Sequence, residues 1–224
     1  MQAGPGVDST YSWMRLAVSM LIGTISGVGM WSFVVALPAV QADFGVTRAE
    51  VSLPYTIMML GFAGGTVLMG RVVDRFGVVA TLLIGAVTIG IGYIGAGYAP
   101  TLMTFAIVHA FIGFGASCGF GPLVSDISHW FEKRRGIAVG ICAAGNYVAG
   151  AIWPPVIQYF LTHGGWRPTH IGIGIFCAVT IFPLVFFLRR RAPHVHGGAA
   201  AQAAGDVSPG AVLRAYGYCY RASA

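Results

Sequence analysis

Long apolar runs, cut by short charged stretches, set the pattern of this chain. Residues 16–42, 51–70, 76–125, 136–166 and 168–188 contain no Asp, Glu, Lys or Arg. A helix rises 1.5 Å per residue and needs about 20 apolar residues to cross the hydrocarbon core of a bilayer. Four of the runs fit one crossing each. The fifth, 76–125, is long enough for two, and Gly97-Tyr98-Ala99-Pro100 breaks it near the middle, where Pro suits the first turn of a new helix. The pattern predicts six transmembrane helices, at 16–40, 51–70, 78–97, 101–124, 136–161 and 168–188. Barrel strands are excluded, since they alternate over only about 10 residues.

Composition sharpens this. Of 224 residues, 56% are hydrophobic and 9% charged, and the mean hydropathy is +0.76. A soluble domain carries about 25% charged residues to cover its surface. The chain therefore cannot be an ordinary soluble enzyme, a disordered protein or a disulfide-stapled module. Its solvent is lipid.

The few charges give an orientation. If the N-terminus lies inside, the inner segments hold Arg15, Arg71, Arg75, Lys133, Arg134, Arg135, Arg189, Arg190, Arg191, Arg214 and Arg221, against Arg48 and Arg167 outside. Eleven against two predicts both termini in the cytoplasm, with the chain multi-pass in the plasma or inner membrane. The same residues explain the sequence pI of about 9.4. They sit scattered at helix ends and form no continuous patch, so nucleic acid is not an expected partner. No cleavable signal peptide is expected, because the first apolar run has the length of a full span. Cys118, Cys142 and Cys177 fall within predicted spans and Cys219 in the tail, at no metal-like spacing. They read as free thiols. No metal, no cofactor and no catalytic residue is expected.

Three domains follow: a cytoplasmic N-terminal segment at 1–15, a six-span bundle at 16–190, and a flexible cytoplasmic tail at 191–224. Glycines recur within the spans, as at Gly61, Gly64 and Gly65 or Gly113, Gly115 and Gly119. Small residues let helix backbones approach closely where no hydrophobic effect drives association, and they also let helices rock on one another. From His194 the Gly-, Ala- and His-rich sequence reads as a linker with no further span behind it.

Two strings carry a family resemblance. Gly70-Arg71-Val72-Val73-Asp74-Arg75-Phe76-Gly77, a tight turn between the second and third spans, resembles the G-x-x-x-D-R-x-G signature of the major facilitator superfamily, with Gly70, Asp74, Arg75 and Gly77 at the matching positions. The chain departs from it one residue on, where a basic residue is usual and Val78 stands. Trp130-Phe131-Glu132-Lys133-Arg134-Arg135-Gly136, continuing through Gly140 to Gly145, is similar to the loop and fifth helix of the monocarboxylate-porter branch, which includes the oxalate/formate exchangers. Gly165-Trp166-Arg167 at the sixth span is a weaker cue.

The resemblance implies an all-α fold of two six-helix bundles, each made of two inverted three-helix repeats, with the substrate site between them near the midplane. The chain spells only the first bundle, apparently cut before a second. It implies a secondary transporter of small organic anions, with a coupling proton or an exchanged anion and a second six-helix half as partners, and not an enzyme. It also implies that the 70–77 turn belongs to a cytoplasmic gate. Depth in the spans singles out Trp31, His109, Asn146 and Tyr147 as substrate-lining candidates. Each could equally be a packing or hydrogen-bonding residue between helices. A non-transporting truncated membrane protein and a homo-oligomerising six-helix carrier remain the competing outcomes.

Overall fold

The computed structural model describes residues 7–190, all within one unit, Met1–Ala192. The predicted tail at 191–224 lies outside the described residues, as do residues 1–6. The described chain is helical: α1 (Thr10–Ser26), α2 (Val28–Phe44), α3 (Arg48–Val51), α4 (Leu53–Gly97), α5 (Leu102–Cys118), α6 (Gly121–Ser128), α7 (Arg135–Gly164) and α8 (Trp166–Phe186). Five helical stretches are long and apolar enough to cross a membrane: Thr10–Phe44, Arg48–Gly97, Leu102–Ser128, Arg135–Gly164 and Trp166–Phe186.

The first stretch starts earlier and ends later than the run 16–40. Its limits are set by caps, not by charges: Ser9 accepts from the Ser12 N–H, and Gly45 closes the far end in the left-handed region at φ 63°. It is interrupted at Gly27, which packs against α7. A Cβ on Gly27 would stand 2.7 Å from Ala149 Cβ and 2.8 Å from Asn146 Oδ1.

The second stretch is 50 residues long, where the sequence predicted two separate spans. Gly77, at φ 84° and ψ 170°, leaves the helical region within α4, a conformation that only glycine adopts readily. The packing shows what this break does. Gly61 seats on α5 so closely that a Cβ there would overlap the Ala110 carbonyl, and Gly92 seats on the same part of α5, against Ile112 and the Val108 carbonyl. In a straight helix those 31 residues would be about 46 Å apart. The chain therefore doubles back at Gly77, and both limbs of α4 grip α5.

The third stretch, predicted to be unbroken over 101–124, is divided at Gly119 and Phe120, and α6 restarts with Pro122 in its first turn. The last two stretches match their runs within two or three residues; α7 ends at Gly165, whose φ is 80°. Small residues make the contacts throughout. Gly113 fits against the Met58 carbonyl, Gly115 against Gly85 and Thr88, and Gly174 against Tyr93 and the Gly90 carbonyl. On the other side α7 lies along α1 and α2: Thr24 Oγ1 donates to the Gly145 carbonyl at 3.0 Å, and Trp153 Nε1 donates to the Thr24 carbonyl at 2.8 Å.

Candidate functional site

At the end of the bundle that carries Arg15, the α4 turn meets α1, α6 and the last residues after α8 around a cavity of about 430 Å³. Asp74, Arg75 and Gly77 of the turn line it, facing Arg15, Asp126, Arg189 and Arg190. Gly70 stands outside this lining, with open space where a Cβ would go. Arg15 is the fixed point. It is only 1% exposed, yet its donors are engaged: Nε and Nη2 donate to Asp126 at 2.7 and 2.9 Å, and Nη1 donates to the Leu188 and Arg190 carbonyls at 3.0 Å each. Its guanidinium also lies 4.7 Å from the Trp130 ring centre. This bidentate pair neutralises Asp126 and joins three elements at one atom cluster. Asp74, by contrast, is exposed and has no ion-pair partner among the described residues. Three further guanidiniums, those of Arg75, Arg189 and Arg190, line the same cavity.

The loop before α7 contributes differently. Lys133, Arg134, Arg135 and Gly136 are exposed, and the Lys133 N–H donates to Asp8 Oδ2 at 3.2 Å, docking the start of the described chain onto this loop. Gly136 and Gly140 face open space. Gly145 is buried, and a Cβ there would stand 2.7 Å from the Met20 carbonyl.

The second region is the seam between α2 and α7. Trp31 packs its ring on Gly150, where a Cβ would come within 2.6 Å of it. Its Nε1 is buried with no hydrogen-bond partner. Asn146, one turn before Gly150, is half-buried, and its Nδ2 reaches only the Met30 sulfur at 3.8 Å, a weak acceptor. Trp31 and Asn146 are thus brought to one seam, each with an N–H that is poorly spent. Tyr147, beside them on α7, is 74% exposed. His109 is elsewhere. It is buried in an aromatic cluster with Phe33, Phe105 and His170, its Nδ1 on the Phe105 carbonyl.

Sequence reasoning missed three partnerships: Arg15 with Asp126, Arg167 with Asp43, and His109 with His170. A signal existed for the first two. Each pair joins opposite charges that the predicted topology puts on one side of the membrane. A larger cavity of about 650 Å³ between α7 and α8 is lined by Ile152, Trp153, Val156, Phe160 and Phe176 among others. It offers hydrocarbon surface and few polar groups.

The family model for the Major Facilitator Superfamily matches residues 19–219. The chain belongs to the Major Facilitator Superfamily. It is therefore a multi-pass membrane protein of a transporter family and not an enzyme. Among its relatives, an uncharacterized MFS-type transporter, YcxA, of Bacillus subtilis is 28% identical over 182 residues, covering 78% of this chain and 44% of the relative. A probable sulfoacetate transporter, SauU, of Cupriavidus necator is 25% identical, covering 84% of this chain and 44% of the relative. Mouse monocarboxylate transporter 4 is 26% identical, covering 85% of this chain and 41% of the relative. The chain spans less than half the length of the curated relatives it matches.

Proposed function

We propose that this chain is the N-terminal six-helix half of a secondary transporter of small organic anions. In this reading the two limbs of α4 are two crossings, which makes six in all, and both termini face the cytoplasm. The six form two inverted three-helix repeats, and the substrate passes between this bundle and a second one. A coupling proton or an exchanged anion moves with it.

The observation that carries the reading is the α2–α7 seam. A buried indole N–H without an acceptor is an unmet donor, and burying one costs about 1–3 kcal/mol. A carboxylate would satisfy it and take up the Asn146 amide, with the exposed Tyr147 phenol beside them. The names of two relatives, a monocarboxylate transporter and a probable sulfoacetate transporter, support an anion of this class. The seam holds no Lys or Arg, so the balancing positive charge comes from the second bundle. The exposed, unpaired Asp74 fits a gate that closes on that bundle from the cytoplasmic side.

The test is Trp31→Phe in the assembled transporter. Losing one hydrogen bond to a charged group removes about 1.5–3 kcal/mol, which raises KM for the anion roughly 10- to 100-fold. An unchanged KM would remove Trp31 from the site, and an unchanged KM in Asn146→Ala as well would remove the seam.

A further inference from the structure

A second set of unmet polar atoms lies in the core between α2, α4, α5 and α8. His109 on α5 and His170 on α8 are each 1% exposed, with ring centres 6.1 Å apart and planes tilted by 56°. Each turns Nδ1 onto the carbonyl one helical turn earlier: His109 onto Phe105 at 2.7 Å, His170 onto Trp166 at 2.8 Å. A carbonyl only accepts, so both Nδ1 atoms carry the proton. In the neutral rings both Nε2 atoms are then acceptors, and neither has a protein partner.

The neighbours cannot repair this. Two acceptors do not bond to each other, and the rings are too far apart for direct contact between their nitrogens. Phe33 and Phe105 pack on His109, and Trp166 and Tyr93 pack on His170, which walls the pair with aromatic carbon. The Tyr93 hydroxyl is engaged with Ser32. A metal ion would want three or four ligands, and among the described residues no third His, Cys, Asp or Glu joins the two imidazoles.

We infer that one buried water molecule is bound between His109 and His170, donating an O–H to each Nε2. Buried waters typically make about three hydrogen bonds to groups that would otherwise be unmet. The two Nε2 acceptors account for two of them, within the range of about two to four that such waters make. The water makes His109 a joint between α5 and α8, two helices that both pack on the second limb of α4, and not a ligand for the transported anion.

Two measurements on the full chain test this. In the wild-type protein, labelled with ¹⁵N at histidine and reconstituted in lipid, magnetisation should pass from water protons to the Nε2 atoms of two histidines, which disappear in turn from the spectra of His109→Phe and His170→Phe. Those single variants each strand one acceptor and should lower the melting midpoint. The double variant strands none, so its loss should be smaller than the sum of the two. Strictly additive losses, or no water transfer to either buried Nε2 in the wild type, would overturn the inference. Should the single variants fail to fold, the same spectrum is taken on a chain in which the four other histidines, His129, His163, His194 and His196, are replaced by Gln. Water transfer to the two remaining Nε2 atoms is expected there, and its absence would overturn the inference.

Discussion

Arg15 and Asp126, 111 residues apart in the chain, face each other through two parallel hydrogen bonds of 2.7 and 2.9 Å, with Arg15 1% exposed. The pair fixes the start of α1 to the end of α6, and through the Leu188 and Arg190 carbonyls it holds the chain beyond α8 as well. Removing one member leaves a buried charge alone, which costs about 3–5 kcal/mol, while replacing both with apolar groups is often neutral. Arg15→Met should therefore lower the stability of the purified protein by about that much, and Arg15→Met with Asp126→Leu should recover most of it. Denaturant unfolding in detergent measures both. A single variant as stable as the wild type would mean that the pair is solvated and the cavity wall is loose.

The glycines divide into those that touch and those that do not. A Cβ on Gly113 would overlap the Met58 carbonyl, whereas Gly140 faces open space. Gly113→Ala should cost about 1–3 kcal/mol by forcing α4 and α5 apart. Gly140→Ala should be neutral or gain up to about 1 kcal/mol from helix propensity. Thermal unfolding of the two variants compares them directly, and equal effects would contradict the packing of α5 described above.

Much of the helix content was legible because hydrocarbon excludes charge, so charge-free runs mark where helices lie. The limits of those helices were less legible. Ser9 and Gly45 end the first stretch by capping, which the charges at Arg15 and Asp43 concealed. The turn at Gly77 was legible from its motif. The break at Gly119 and Phe120 lies inside a charge-free run, so charge gives no sign of it, although Pro122 marks the restart. Depth in the spans singled out Trp31 and Asn146, which the structure brings to one seam between α2 and α7. The partnership of His109 with His170 was not, because no local pattern says which distant helices will touch.

Asp74 is the one carboxylate of the α4 turn and is unpaired among the described residues. If it holds the two bundles together on the cytoplasmic side, Asp74→Asn should shift an assembled transporter toward the inward-open state by a coupling of about 1–3 kcal/mol. Labelling of cysteines placed along the cytoplasmic face of the cavity should accelerate. Unchanged labelling with unchanged transport would make the segment a turn and nothing more.

The orientation has its own check. Reporter fusions at His129 and His163 should report inside and outside respectively, because eleven of the thirteen Lys and Arg residues fall on one predicted side. The reverse labelling would invert the gate as well as the termini.

The central claim is that this bundle carries anions only with a partner bundle. One bundle presents its α2–α7 donors with nothing to close over them, and the described spans supply no Lys or Arg against a carboxylate at the midplane. Such an anion left unpaired in the membrane costs at least about 2.5–3.5 kcal/mol on insertion scales. The direct measurement is uptake of labelled formate, oxalate, lactate or pyruvate into liposomes, by the chain alone and by the chain co-expressed with a matching second half. The account predicts no uptake above empty liposomes for the chain alone and saturable uptake with the second half. Saturable uptake by the chain alone would contradict it and identify a working homo-oligomer.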